Sequence, residues 1–100
     1  LASFSQPDRL RASCNDYRAG ATVDCDHDDA DRNAKRRIGC PMLALWGAGK
    51  GRTATEGPVL DTWRRWATDV RGAGLPCGHF IPEEAPDELL AALVPFLQGN

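Results

Sequence analysis

Methionine occurs once in this chain, as Met42, and tyrosine once, as Tyr17. No apolar run approaches the length of a membrane span, and no short apolar stretch near the start has the form of a secretory signal. No membrane partner is expected. Neither sign of charge dominates: 12 basic residues stand against 14 acidic ones, a net charge of −2. No overall field therefore draws the chain to nucleic acid, and no nucleic-acid partner is expected. The four cysteines, Cys14, Cys25, Cys40 and Cys77, contain no C-x-x-C pair and no ladder of zinc-ligand spacings. They are also too sparse for a disulfide-stapled secreted scaffold. The expectation is reduced thiols in a cytoplasmic protein, with no metal and no cofactor.

What is present is ordinary for a globular protein: 42% hydrophobic and 26% charged residues in a chain of 100. That length suffices for one small domain. The start at Leu1, with no methionine before Met42, leads us to expect a fragment of a longer product.

Residues 1–18 are expected to be helical, with Phe4, Leu10 and Tyr17 as the larger apolar anchors. Residues 24–37 are polar, five aspartates followed by Arg32, Lys35, Arg36 and Arg37. Such an acidic-then-basic block suits a helix whose dipole it would match, but a solvated connection is the default reading. Residues 40–46 form a continuous apolar run closed by Gly47-Ala48-Gly49-Lys50-Gly51, the pattern of a buried parallel strand. Over residues 58–70, Val59, Leu60, Trp63, Trp66, Ala67 and Val70 recur at helical steps. Pro58 opens that stretch and Gly72 lies near its end. A short strand over residues 73–77 leads into Gly78-His79. Pro86 opens a last helix, with Leu89, Leu90, Leu93, Phe96 and Leu97 expected on its buried side and Pro95 near its end. Alternation of this kind makes an α/β fold with a parallel sheet, and two strands alone leave such a sheet without partners.

Two motifs invite chemistry and fall short. Gly47 to Thr53 is glycine-rich and contains Gly49-Lys50, but a phosphate loop needs Gly where Ala44 stands and Ser or Thr where Gly51 stands. Asp24-x-Asp26-x-Asp28 opens like a calcium loop, but Asp29 occupies the place of the turn glycine and Lys35 that of the closing glutamate. His27 within that run is expected to be an exposed polar residue.

The turn at His79 is of a different kind. A histidine just past a short strand, on a loop that a helix follows at once, stands where ligands collect at the carboxyl edge of a parallel sheet. Imidazole titrates near ~6.5 and can take a proton from water and return it. From position alone, a helix-capping surface histidine is an equal alternative.

The string Cys77-Gly78-His79-Phe80-Ile81-Pro82-Glu83-Glu84-Ala85-Pro86-Asp87 resembles the end of a haloacetate (fluoroacetate) dehalogenase of the α/β-hydrolase superfamily. So do residues 14–21, 41–48 and 59–70. The resemblance runs through nearly the whole chain in unbroken order. It implies the C-terminal part of an α/β-hydrolase fold (last parallel strands and helices), preceded by the end of a helical cap domain: residues 1–37 cap and return segment, residues 38–100 core. In that family an aspartate displaces halide and forms an ester, which a histidine-activated water hydrolyses. By the resemblance His79 matches the base, and Tyr17 matches a cap tyrosine that helps to hold the departing halide. The implied partner is a small haloacid, and a homodimeric parent is compatible with the family. The nucleophile, oxyanion hole and carboxylate-binding arginines fall in a part of the family that this chain does not span. In many members of the family the acid partner follows the strand ending at Trp46; here that loop, Gly47 to Thr53, carries no Asp or Glu, which resembles the subgroup whose acid lies further upstream. The same fold also serves epoxide and ester hydrolases, and a non-catalytic remnant is a further reading.

Overall fold

The computed structural model describes residues 2–99, so the first residue of the expected N-terminal helix lies outside the described residues. The chain divides into two compact units, Leu1–Arg36 and Arg37–Asn100.

The first unit is a pair of helices in contact with each other, α1 (Pro7–Gly20) and α2 (Val23–Asn33). Helix α1 starts later than expected, at a proline that is well placed there because a first-turn N–H has no partner to lose. Helix α2 replaces the solvated connection that residues 24–37 suggest. Asp24 and Asp26 occupy its first turn and Arg32 its last, each sign where the helix dipole favours it. An Arg32–Asp29 ion pair adds to it. The helix ends in a paired cap: Lys35 N–H bonds to the Arg32 carbonyl and Arg36 N–H to the Asp31 carbonyl. That cap turns Lys35 to φ 55°, a conformation side chains rarely take. Neither helix buries a residue. Phe4, Leu10 and Tyr17, expected as anchors, are all exposed. Two polar helices offer no core for them.

The second unit runs β1 (Met42–Gly47), α3 (Pro58–Trp66), β2 (Val70–Leu75), α4 (Ile81–Glu84) and α5 (Pro86–Leu97). The strands pair in parallel, from Met42 with Val70 to Gly47 with Leu75. An Ile38–Ala67 bridge extends the ladder before the strands. Beyond them, Ala48 N–H donates to the Leu75 carbonyl at 2.8 Å and Gly49 N–H to the Cys77 carbonyl at 3.0 Å.

Three sequence expectations change here. The helical pattern over residues 58–70 stops at Trp66, because Ala67 turns extended to bridge Ile38 and Val70 opens β2. The second strand is accordingly longer and earlier than residues 73–77. Gly72 belongs to it and not to a helix end: a β-carbon there would lie 2.1 Å from the Ala44 carbonyl oxygen and 2.9 Å from Leu60 Cδ2. Secondly, β1 is half-buried apart from buried Ala44 and exposed Gly47, since the described sheet has two strands. Lastly, Leu90 and Leu97 on α5 are exposed. The side turned inward is Leu89, Ala92, Leu93 and Phe96, one helical stripe at three- and four-residue steps.

The core is small. Leu60 of α3 is its most buried large side chain at 2% exposure, and burying a leucine contributes roughly 1.5–3 kcal/mol. Arg37 braces the far end of α3, its guanidinium donating to the carbonyls of Arg64 and Ala67. A cation there complements the helix dipole, by about 0.3–1 kcal/mol. A second cluster, Leu75, Cys77 and Ala85, with Leu45, Ala73, Ile81 and Leu89 packed against it, lies under the loop that carries His79.

Candidate active site: the histidine loop

His79 stands four residues beyond the end of β2 and lies between two buried residues, Cys77 and Ala85. Both flanks of the loop are therefore pinned to the core while the imidazole stands in solvent. Desolvation pushes the Cys77 thiol above its ordinary range, with the Glu84 and Glu88 charges adding to the shift. A buried, protonated thiol of this kind packs rather than attacks.

Glu84 holds the loop from the other side. Its Oε1 accepts the Gly78 N–H at 3.0 Å and its Oε2 the Phe80 N–H at 2.9 Å, so one carboxylate brackets His79 through both neighbouring amides. The main chain of Glu84 reciprocates, its N–H donating to the Phe80 carbonyl at 2.9 Å. Bonds to a carboxylate are roughly twice as strong as neutral ones. Sequence reading missed this clamp. A glutamate four positions into a turn that starts at the residue after the histidine is a variant of the capping box, and that signal was available. The ring of Phe80 meets the imidazole edge to face, with centroids 5.1 Å apart and planes at 83°.

The glycine loop after β1 has a structural task in place of a phosphate-binding one. A β-carbon on Gly47 would lie 2.1 Å from the Gly78 carbonyl oxygen and 2.6 Å from that of Cys77. Only a bare α-carbon lets the two loops touch, and Gly49 takes φ 101°, a region that favours glycine. Further along, Ala54 exchanges both backbone hydrogen bonds with Gly74, at 3.1 and 2.6 Å. Arg64 pairs with Glu56 at 3.0 Å, and that hydrogen bond holds the Glu56 carboxyl below its ordinary range. The loop from Gly47 to Thr53 thus abuts the histidine loop through its backbone and brings no carboxylate to it. Among the described residues, no acidic side chain hydrogen-bonds or ion-pairs with the His79 imidazole.

Tyr17 lies in the other unit, on α1, and is 85% exposed. The aspartates of the calcium-like run sit on helix α2, where alternate positions point to different sides, so they cannot converge as loop ligands do. No group of three or more His, Cys, Asp or Glu that could hold a metal ion occurs among the described residues. All four cysteines are free, with Cys14, Cys25 and Cys40 exposed. No helix among the described residues is long and apolar enough to cross a membrane.

No protein-family model matches the chain. Among solved structures it superposes on a protein from Nostoc sp. PCC 7120 assigned as an α/β-hydrolase, with a TM-score of 0.82 and 50% identity. That superposition covers 97% of this chain and 32% of the Nostoc one. The fold is that of the C-terminal part of an α/β-hydrolase. Two curated relatives agree with it. A fluoroacetate dehalogenase from Burkholderia sp. is 37% identical over 95 residues, covering 94% of this chain and 30% of the relative. A soluble epoxide hydrolase from Corynebacterium sp. (strain C12) is 28% identical over 95 residues, covering 92% and 30%. The chain spans about a third of the length of the relatives it matches. In an α/β-hydrolase the histidine of the catalytic triad comes last in chain order, after nucleophile and acid. His79 lies four residues beyond Leu75, the end of β2, the last strand among the described residues.

Proposed function

We propose that this chain supplies the hydrolytic base, and the end of the helical cap, of a hydrolase that cleaves the carbon–halogen bond of a short haloacid such as fluoroacetate. The observation that carries the reading is His79, solvent-facing between two core anchors, with its backbone bracketed by Glu84, in a chain 37% identical to a fluoroacetate dehalogenase. An aspartate outside these 100 residues attacks the carbon that bears halogen. Its oxygen forms the ester bond as the carbon–halogen bond breaks and halide leaves with the electron pair. His79 then takes a proton from water, and the hydroxide formed attacks the ester carbonyl, releasing a hydroxyacid and restoring the aspartate; His79 gives its proton up to solvent to complete the cycle. By the same resemblance, the Tyr17 hydroxyl is assigned to stabilising the departing halide. The acid partner that steadies His79 belongs, on this reading, to the same part of the family that the chain does not span, in keeping with a Gly47–Thr53 loop that carries no Asp or Glu.

A second reading is favoured by the relative named a soluble epoxide hydrolase: the same ester and the same base, with an epoxide opened in place of halide displacement. The substrate distinguishes the two, through halide release from a haloacid or diol formation from an epoxide. An ester hydrolase would act on neither.

The test is His79→Asn in the complete enzyme. Asparagine keeps hydrogen-bonding capacity but cannot take a proton from water at neutral pH. Displacement needs no base, so one equivalent of halide is expected as a burst, followed by a stalled covalent adduct visible in the intact mass. Loss of the burst, or normal turnover without an adduct, would show that His79 is not the hydrolytic base.

A further inference from the structure

We infer that Glu84 is the positioning residue of the hydrolytic base: it fixes the backbone on both sides of His79 and so sets where the imidazole stands when water attacks the ester. The inference rests on the reading of His79 as that base. Three observations carry it. Both oxygens of a single carboxylate are spent on the amides of Gly78 and Phe80, the two residues that flank His79. Close contact is built in as well, for a β-carbon on Gly78 would come within 3.0 Å of Glu84 Oε1 and 3.2 Å of Oε2. Finally, the loop is otherwise exposed from Gly78 to Phe80, and no other side chain is seen to bond those amides. Without Glu84 the loop keeps its anchors at Cys77 and Ala85 but loses its internal brace.

The chemistry explains why a brace is needed at this point. Proton abstraction from water requires the imidazole nitrogen within hydrogen-bond reach of a water that is itself aimed at the ester carbonyl. A misplacement of about 1 Å can cost about 10²-fold in rate. Halide displacement makes no such demand on His79. Loss of the brace therefore acts on one half-reaction only.

The experiment uses the complete enzyme with Glu84→Ala and Glu84→Gln, and measures the halide burst, the decay of the covalent adduct and the melting temperature. In Glu84→Ala the burst is expected to keep its wild-type rate while adduct decay slows by about 10²-fold. Glu84→Gln retains one acceptor oxygen and should fall between alanine and wild type, and it carries the test if the alanine variant does not fold. Adduct decay at the wild-type rate in both variants, alongside a trapped adduct in His79→Asn, would overturn the positioning role and leave the base in place. Burst and decay falling together with the melting temperature would reduce Glu84 to a structural residue. Absence of a trapped adduct in His79→Asn would instead remove the reading of the base itself.

Discussion

Gly47 and Gly78 meet backbone to backbone, so closely that a single methyl on the first would lie 2.1 Å from the carbonyl oxygen of the second. Neither partner has a flexible side chain that could yield. Gly47→Ala should therefore displace the histidine loop and destabilise the protein by about 1–3 kcal/mol, the range for overpacking a close contact. Thermal unfolding of the complete enzyme would show the stability change. Adduct decay slower than wild type would show that the loop has moved. Wild-type stability together with wild-type decay would mean that the two loops are not held as described.

Tyr17→Phe should separate from every change at the histidine. On the proposed reading it removes a donor from the departing halide, so the burst should slow and ester hydrolysis should be nearly untouched. A fully engaged donor of this kind is worth on the order of 2.7–4 kcal/mol. Rapid-quench measurement of halide release checks this, and an unchanged burst would take Tyr17 out of the substrate pocket.

The 100-residue chain by itself should not release fluoride from fluoroacetate. A base without its nucleophile forms no ester to hydrolyse. It should also bind a hydrophobic dye, because Leu90, Val94 and Leu97 on α5 and Trp63 on α3 are left in solvent. Fluoride release above a His79→Ala control would refute the first statement. A cooperative melt with no dye binding would refute the second.

The cysteines of this chain should divide into two groups on alkylation of the native complete enzyme. Cys14, Cys25 and Cys40 are exposed in the described residues, whereas Cys77 is buried and its thiol is held protonated above the ordinary range. As the thiolate is the reacting form, Cys77 should label slowest of the four at mildly alkaline pH, and its rate should rise on unfolding. Peptide mass mapping of labelled sites would decide it. Labelling of Cys77 as fast as Cys40 would contradict the packed cluster beneath the histidine loop.

Much of the second unit was legible in advance, and the reasons differ from place to place. The apolar run closed by glycines marked β1, and Pro86 marked the start of α5, because both signals are local. The boundary between α3 and β2 was not. Ala67 and Val70 fall in step with the helical pattern, and only pairing with Ile38 and Met42 draws them into the sheet. The likeness of Gly47 to Thr53 to a phosphate loop had the same origin. Glycines that look like a cradle for phosphate make room for another stretch of backbone, a contact between distant residues that spacing does not reveal. On α2 the dipole-matched charges were visible, but they count equally for a helix and a solvated connection until the Lys35 cap is seen. The position of His79 on a loop was readable, and Glu84 four residues past Phe80 gave a capping-box-like signal, but that its second oxygen also takes the Gly78 amide depends on where the chain turns back.

That bracket is short in sequence: Glu84 reaches six residues back to Gly78 and four back to Phe80. Contacts of this span close fast, since even a ten-residue loop takes only about 10–100 ns. The parallel pairing of β1 with β2, by contrast, must wait for the whole α3 crossover to be laid down. The bend around His79 can thus be sampled in the unfolded chain, again and again, before any sheet exists to receive it.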